Sequence, residues 1–387
     1  MNAEEFLHAL HADFFTGVPD SILKPFVGAV MARYGTDPRH HVIAANEGNA
    51  AAVAAGHYLA TGGVPVVYLQ NSGEGNLVNP AVSLLHRNVY GIPALFVIGW
   101  RGKPGTMDEP QHMEQGKITL QLLDLLDIPY TVMGKTTTVE EIQGAMEAFR
   151  TSFAQGSGAA IIVSKDALTS SGIANHRNGY CLRREEILRQ LLDIAGDDFI
   201  VATTGKASRE LFELREARGE DHAHDFLTVG SMGHASSIAL GVALARPSRR
   251  IWCIDGDGAA IMHLGSMAVI GKAHPSNLVH VVIDNEAHES VGGFPTAAGT
   301  MDFAAIARGC GYAQAAEAHT LEGIKGCLGT MLCADGPSFL VIKSMIGARA
   351  DLGRPTRSPH ETKKDFMDAL RTADQFGGRR KDRRGFQ

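Results

Sequence analysis

Residues 250–290, RIWCIDGDGAAIMHLGSMAVIGKAHPSNLVHVVIDNEAHES, decide the fold. Residues 250–254 are a short apolar run suited to a buried strand, broken sharply by Asp255-Gly256-Asp257-Gly258. The Ala, Met, Ile and Leu of 259–272 predict a helix, and His274-Pro275 ends it before a second buried strand, 278–284. The unit is βαβ. Its crossover returns the chain parallel, so both strands finish at one sheet edge, where open α/β folds bind ligands. Asp257 and Asn285 are therefore expected side by side. A carboxylate and an amide oxygen suit a hard cation such as Mg²⁺, and Gly256 and Gly258 would let the backbone approach a phosphate closely. A lone GDG is at least as often a tight turn with solvated polar residues. The order strand, GDG, helix, strand, Asn is far more specific.

Length and composition bound the rest. At 387 residues, two α/β domains are the natural expectation. Hydrophobic residues make up 44% and mean hydropathy is −0.04, as in an ordinary soluble protein. A net charge of −6 with 6% aromatic residues disfavours nucleic-acid binding. Five cysteines without CxxC spacing argue against a secreted disulfide framework. The acidic start MNAEEFLHAL is not a signal peptide, and no apolar run reaches membrane-spanning length, so a cytoplasmic protein without a membrane partner is expected.

Working outward, a helix over 4–12 leads to the turn TGVPDS, where Ser21 is placed to cap a helix over 22–34 or to face an anionic ligand at its N-terminus. A strand over 41–45 precedes Asn46-Glu47-Gly48-Asn49 and an Ala-rich helix, 50–61. A Glu opening a helix usually serves the dipole at the surface. This helix is so small-sided that it must pack tightly, which draws Glu47 inward. The strand 64–69, the polar loop 70–76, a helix around 80–88 and the strand 94–98 repeat the order seen around GDG. The loop carrying Arg101, Lys103, Asp108 and His112 reads as an exposed excursion or a substrate-facing lid, and its basic groups suit an anionic substrate. A helix over 118–126, a strand over 130–133, a helix over 139–155 and a strand over 159–163 complete a first domain, 1–168, followed by a linker, 169–183. The second domain, 184–350, adds Thr203-Thr204-Gly205-Lys206 opening a helix, where capping by Thr204 or Ser208 competes with an anion site. Met232 precedes a small-residue helix over 236–245 and would ordinarily be core filler. Residues 351–387 read as a tail with a basic run from Arg379 to Arg384.

Taken together, GVPDS at 17–21, NEGNA at 46–50, NSGEGN at 71–76, GWRGKPG at 99–105, DEPQH at 108–112, TTGK at 203–206 and DNEAHESVGG at 284–293 resemble the phosphonopyruvate decarboxylase family of thiamine diphosphate (ThDP) enzymes across nearly the whole chain. The resemblance implies a ThDP-binding fold, with a pyrimidine domain joined directly to a diphosphate domain and no middle domain. It implies that Asp257, Asn285 and the main-chain oxygen of Ala287 hold Mg²⁺, and that Gly256, Gly258 and Ala259, with Thr204, Gly205 and Lys206, line the diphosphate. Glu47 would bond the aminopyrimidine, and Met232 would prop the coenzyme in a bent shape. Decarboxylation of a 2-oxo acid needs an electron sink, which the thiazolium ring provides. Glu47, His112, His288 and Glu289 are the candidates for proton handling. Arg101, with Lys24 or Lys103, is the candidate clamp for a phosphonate, and Ser21 and Asn71 would orient a carboxylate. The resemblance also implies a homo-oligomer with active sites at subunit interfaces. The alternative is the close relative sulfopyruvate decarboxylase, which uses a similar site for another acidic 2-oxo acid, and Phe294, where the family commonly has Gln after the double glycine, is a departure that bears on substrate preference. A non-catalytic ThDP-fold assembly or sensor protein should have lost Glu47, Asp257 or Asn285, and all three are present. A dinucleotide oxidoreductase lacks its GxGxxG here.

Overall fold

The computed structural model describes residues 1–170 and 176–375. The chain divides into two compact units, one of residues 1–176 with 288–294, the other of 177–287 with 295–387. The basic run from Arg379 to Arg384, and residues 171–175 of the expected linker, lie outside the described residues.

In the first unit, β1 (Phe15–Gly17), β2 (His41–Ile43), β3 (Val66–Gln70), β4 (Leu95–Gly99), β5 (Tyr130–Met133) and β6 (Ala159–Val163) form one sheet of order β2-β1-β3-β4-β6-β5, parallel throughout. Strands covered on both faces read as continuous apolar runs, as VVYLQ, LFVIG and AAIIV do. Alternate side chains feed two cores. Val66, Tyr68, Leu95, Val97 and Ile161 pack with Phe6 and Phe26 on one face; Val67, Leu69, Phe96, Ile98 and Ile162 pack with Ala50 and Ala54 on the other. Each such side chain contributes roughly 1.5–3 kcal/mol by leaving water.

The second unit contains β7 (Phe199–Ala202), β8 (Asp225–Leu227), β9 (Ile251–Gly256), β10 (Leu278–Asp284), β11 (Gln314–Ala318) and β12 (Ser338–Lys343), in a parallel sheet of order β11-β12-β10-β9-β7-β8. The edge strands β8 and β11 have weak apolar patterns and were not expected from the sequence. In the first sheet β1 has β2 on one side and β3 on the other, and in the second β7 has β8 on one side and β9 on the other, so the chain turns back beside β1 and beside β7. Loops leaving the C-terminal ends of those strands border a crevice, the usual ligand position of doubly wound sheets.

Several elements depart from the sequence reading. The helix expected at 118–126 runs Pro110–Leu125, with proline at its start, where its missing N–H costs nothing. The loop expected at 70–76 is largely helical, because Glu74–Pro80 forms a helix that continues into a π-turn, Ala81–Leu85. The helix after GDG is two, Asp257–Met262 and Gly265–Ala273. Residues 359–375, assigned to the tail, form a helix, Pro359–Gln375, that buries Phe366 and Leu370 in the second unit's core. Their spacing of four residues puts them on one helix face. Among the described residues no helix is long and apolar enough to cross a membrane.

Candidate functional site

In the first unit most of the predicted residues follow the C-terminal ends of β1, β2, β3 and β4. Glu47 is the first residue of the helix Glu47–Thr61, buried as expected, and Asn46 caps that helix by accepting the Asn49 N–H at 2.8 Å. The helix descends onto the sheet through Ala50, Ala51, Ala54 and Ala55, all buried, and only methyl-sized side chains allow the approach that carries Glu47 inward. Glu47 Oε2 accepts a hydrogen bond from Asn76 at 2.7 Å. Its Oε1 lies over Gly73, where an added Cβ would sit 2.2 Å away.

The turn after β1 is organised by Asp20, a residue the sequence reading passed over. Buried Asp20 accepts the N–H groups of Ile22 and Leu23 at 2.7 and 3.0 Å, which closes the turn just before the helix, and Ser21 does not cap it. The helix itself runs Lys24–Tyr34 without a side-chain cap. Burial raises the Asp20 carboxyl, against a downward pull from its backbone donors and Arg101. Ser21 instead accepts from Arg101 Nη1 at 2.9 Å. Arg101 also grips Asp108 with Nε and Nη2, and Asp108 further accepts the N–H groups of Gly102 and Glu109. Each guanidinium nitrogen thus makes one hydrogen bond within the protein.

Asn71 is equally committed. It accepts the Arg101 N–H at 3.0 Å and donates to Arg101 O and Thr119 Oγ1, both at 2.9 Å, which ties the loops after β3 and β4 together. Residues 100–102 lie directly on the helix Pro110–Leu125. Trp100 Nε1 donates to Gly116 O at 2.9 Å, and a Cβ on Gly102 would meet His112 O at 1.9 Å. The root of this loop is packed against that helix rather than exposed. His112 stands in the first turn of that helix with Nδ1 buried and unpartnered, its imidazole held at about 4 by burial and by Arg101. Lys103 reaches Ser164 Oγ at 3.1 Å and lies over the Trp100 ring. Lys24, at the N-terminus of its helix, has no ion-pair partner among the described residues. His288 and Glu289 fall in the segment 288–294, and burial pulls the His288 imidazole down to about 4. Phe294 is buried in the first unit's core with Phe6 and Phe26.

In the second unit, Asp257 and Asn285 emerge from the neighbouring strands β9 and β10, both buried. Burial and the repulsion of Asp284 push the Asp257 carboxyl up to about 7, while Thr296, unmarked by the sequence reading, donates to it at 2.6 Å. Asp284 is itself neutralised by Lys343 at 2.7 Å, which also lies 3.4 Å from Glu286. Asn285 Oδ1 accepts the Ala287 N–H at 3.1 Å, and Asn178 donates to the Asn285 main-chain oxygen at 2.8 Å. The turn that opens the helix Lys206–Arg218 has Gly205 at its N-cap, with Thr204 donating to Val229 O and Ser208 to Thr203 O, so neither side chain caps. Met232 is half-buried, and the ring of nearby His234 contacts His263, at the end of the helix Asp257–Met262, with centroids 4.3 Å apart. Gly256, Gly258 and Ala259 open that helix. The switch point between β7 and β9 is therefore bordered by two helix N-termini, suited to an anion, with an acid and an amide suited to a hard cation.

The sequence signals for Asn76, Thr296 and Lys343 were absent or weak, since each acts through a partner distant in the chain. Asp20 alone carried a local cue, an acid directly before a helix.

Comparison with known proteins adds independent findings. Residues 4–123 match the family model described as thiamine pyrophosphate enzyme, N-terminal TPP binding domain, and residues 203–342 match its C-terminal TPP binding domain. A phosphonopyruvate decarboxylase of Streptomyces viridochromogenes is 38% identical, the alignment covering 92% of this chain and 91% of that protein. One of Streptomyces hygroscopicus is 36% identical, covering 91% and 89%. A sulfopyruvate decarboxylase of Methanosarcina acetivorans is 28% identical, covering 84% and 86%.

Proposed function

Since the chain belongs to the phosphonopyruvate decarboxylase family of ThDP-dependent carboxy-lyases, we propose that with ThDP and Mg²⁺ it converts 3-phosphonopyruvate to phosphonoacetaldehyde and CO₂, as a cytoplasmic step of phosphonate biosynthesis. The observation that carries this reading is the pair Asp257 and Asn285, buried at the ends of adjacent parallel strands beside helix N-termini. An Asp lifted to about 7 by its surroundings is a carboxyl whose ionisation a divalent cation would favour, and a hard cation is what this donor set accepts.

When bound, ThDP supplies a thiazolium ring that stores the electron pair left as the carboxylate departs. Glu47, with Oε2 held by Asn76 and Oε1 over Gly73, holds and shares the proton of the aminopyrimidine. Asp257, Asn285 and the Ala287 oxygen hold the metal. Gly256, Gly258, Ala259, Thr204, Gly205 and Lys206 receive the diphosphate, and Met232 props the coenzyme. His112 and His288, neutral at physiological pH, are able to accept a proton, with Glu289 as the third candidate.

Lys24 and Lys103 supply positive charge to the phosphonate. Arg101, already paired to Asp108, acts by presenting Ser21, and Asn71 acts by fixing the Arg101 backbone. The protein works as a homo-oligomer in which Glu47 of one copy and Asp257 of another serve one coenzyme. Aldehyde formation from phosphonopyruvate, dependent on both ThDP and Mg²⁺, tests the proposal; no aldehyde in their presence refutes it. A second reading, sulfopyruvate decarboxylation, draws on the relative of Methanosarcina acetivorans, and a higher kcat/KM on sulfopyruvate would favour it.

A further inference from the structure

The turn that opens the proposed diphosphate site is held from behind. The Gly256 N–H donates to Asp255 Oδ1 at 3.0 Å, and Asp255 is completely buried, with its other oxygen unpartnered. A carboxylate oxygen left dry is costly unless something answers it. Facing Oδ2 at 3.8 Å is His280 Nε2, equally buried and equally unpartnered. In the β9/β10 register His280 lies opposite Cys253 and Val282 opposite Asp255, so Cys253, Asp255 and His280 project from one face of the sheet. The far side of the imidazole is anchored, because His280 Nδ1 lies 3.0 Å from the Tyr312 hydroxyl. A phenol that donates to Nδ1 leaves the ring proton on Nε2, aimed at Asp255. Phe339 covers both rings, with centroids 5.1 Å from His280 and 5.6 Å from Tyr312, and a dry surround strengthens each polar contact.

We propose that Tyr312, His280 and Asp255 form a buried positioning relay that sets the Gly256-Asp257 turn in the geometry that receives the diphosphate and its metal. The relay rests on the ThDP reading above. It connects the outer layer of the second unit, through Tyr312, to the backbone N–H at the mouth of the site. Closing the gap from Nε2 to Oδ2 to hydrogen-bond length takes a shift of about 1 Å. Two members of the relay, Asp255 and His280, together with Cys253 bring their ligand atoms within 4.8 Å of one another, which also suits a soft divalent metal. Burial and Asp255 hold the Cys253 thiol well above its ordinary range, so without such a metal it stays a neutral thiol and leaves the carboxylate to the imidazole.

Titration calorimetry of Mg²⁺-ThDP binding to the full chain, with steady-state kinetics at saturating coenzyme, tests the relay. Tyr312→Phe, which removes one oxygen, and His280→Phe are expected to weaken Mg²⁺-ThDP binding about ten- to a hundredfold. The loss should fall on coenzyme affinity while kcat at saturation changes less than about threefold. His280→Gln, which restores an N–H toward Asp255, should recover most of the affinity. Unchanged affinity in Tyr312→Phe and His280→Phe overturns the relay while the ThDP reading stands. No binding by the wild-type protein overturns both. Stoichiometric zinc or iron in the purified protein, measured by mass spectrometry, also overturns the relay, since the cluster would then be a metal centre.

Discussion

Gly73 and Glu47 are a matched pair, since the carboxylate occupies the space where any other residue would carry its Cβ. Gly73→Ala should displace Glu47 and lower turnover by at least about tenfold, with the loss read in kcat. Glu47→Gln keeps the shape and removes the proton carrier, so ThDP and Mg²⁺ binding should persist while kcat falls about 10²–10⁴-fold. Binding measured by calorimetry with unchanged turnover would remove Glu47 from the chemistry. Beside them Glu74 is almost fully buried, and burial pushes its carboxyl up to about 8, against a weaker pull from Thr119 and Gln115. Folded, it keeps its proton to about pH 8; unfolded, it loses it above about 4.5. The unfolded chain therefore binds fewer protons across that window, and the contribution of Glu74 to stability is full below pH 4.5 and declines as the pH rises to 8. Glu74→Gln should flatten that decline by at most about 1.4 kcal/mol per pH unit, visible as a smaller gap between unfolding midpoints at pH 5 and pH 8. Glu47 was legible from the sequence because small residues follow it at helical spacing. Glu74 was not, because burial of a carboxylate in a glycine-rich stretch has no local signature.

At the scale of the element, the loop after β4 is held shut by one carboxylate. Asp108 collects two guanidinium donors and two backbone N–H groups, so Asp108→Asn loses the charge that orders all four. The expected result is a KM for phosphonopyruvate raised about tenfold with coenzyme affinity preserved, since Ser21 and Arg101 lose their alignment while Asp257 does not. Equal KM values would show that the loop does not meet the substrate. The C-terminal helix belongs to the second unit's core, where Phe366 meets Phe199 and Phe226 edge-on or tilted, at 5.5 and 5.6 Å. Phe366→Ala should cost about 3 kcal/mol, measured by urea unfolding. The strands at 130–133, 159–163 and 278–284 were legible to the residue, being apolar runs between clear breakers. The helix at 110–125 was missed at its start because Gln111, His112 and Glu114 carry no apolar face; contact with Trp100 and Gly102 stabilises that turn instead.

For the whole molecule, the proposed oligomer predicts complementation. Glu47→Gln and Asp257→Asn homomers should each be nearly inactive, and refolding the two together should restore a substantial fraction of activity, because some shared sites then carry neither substitution. No recovery in mixtures shown to contain both chains would place each site within one copy. The sequence by itself determined the two doubly wound sheets, the family and the strand ends that carry Glu47, Asp257 and Asn285, because buried parallel strands and glycine-rich turns are written in local patterns of apolarity and backbone freedom. Only the tertiary structure decided how the polar side chains are spent: Arg101 on Asp108, Asn71 on the loop after β4, Lys343 on Asp284, His280 toward Asp255. A charged or amide group takes whichever partner folding brings near, and pairs such as Asn71 with Arg101 or Asp284 with Lys343, 30 and 59 positions apart, meet only once the sheet has closed.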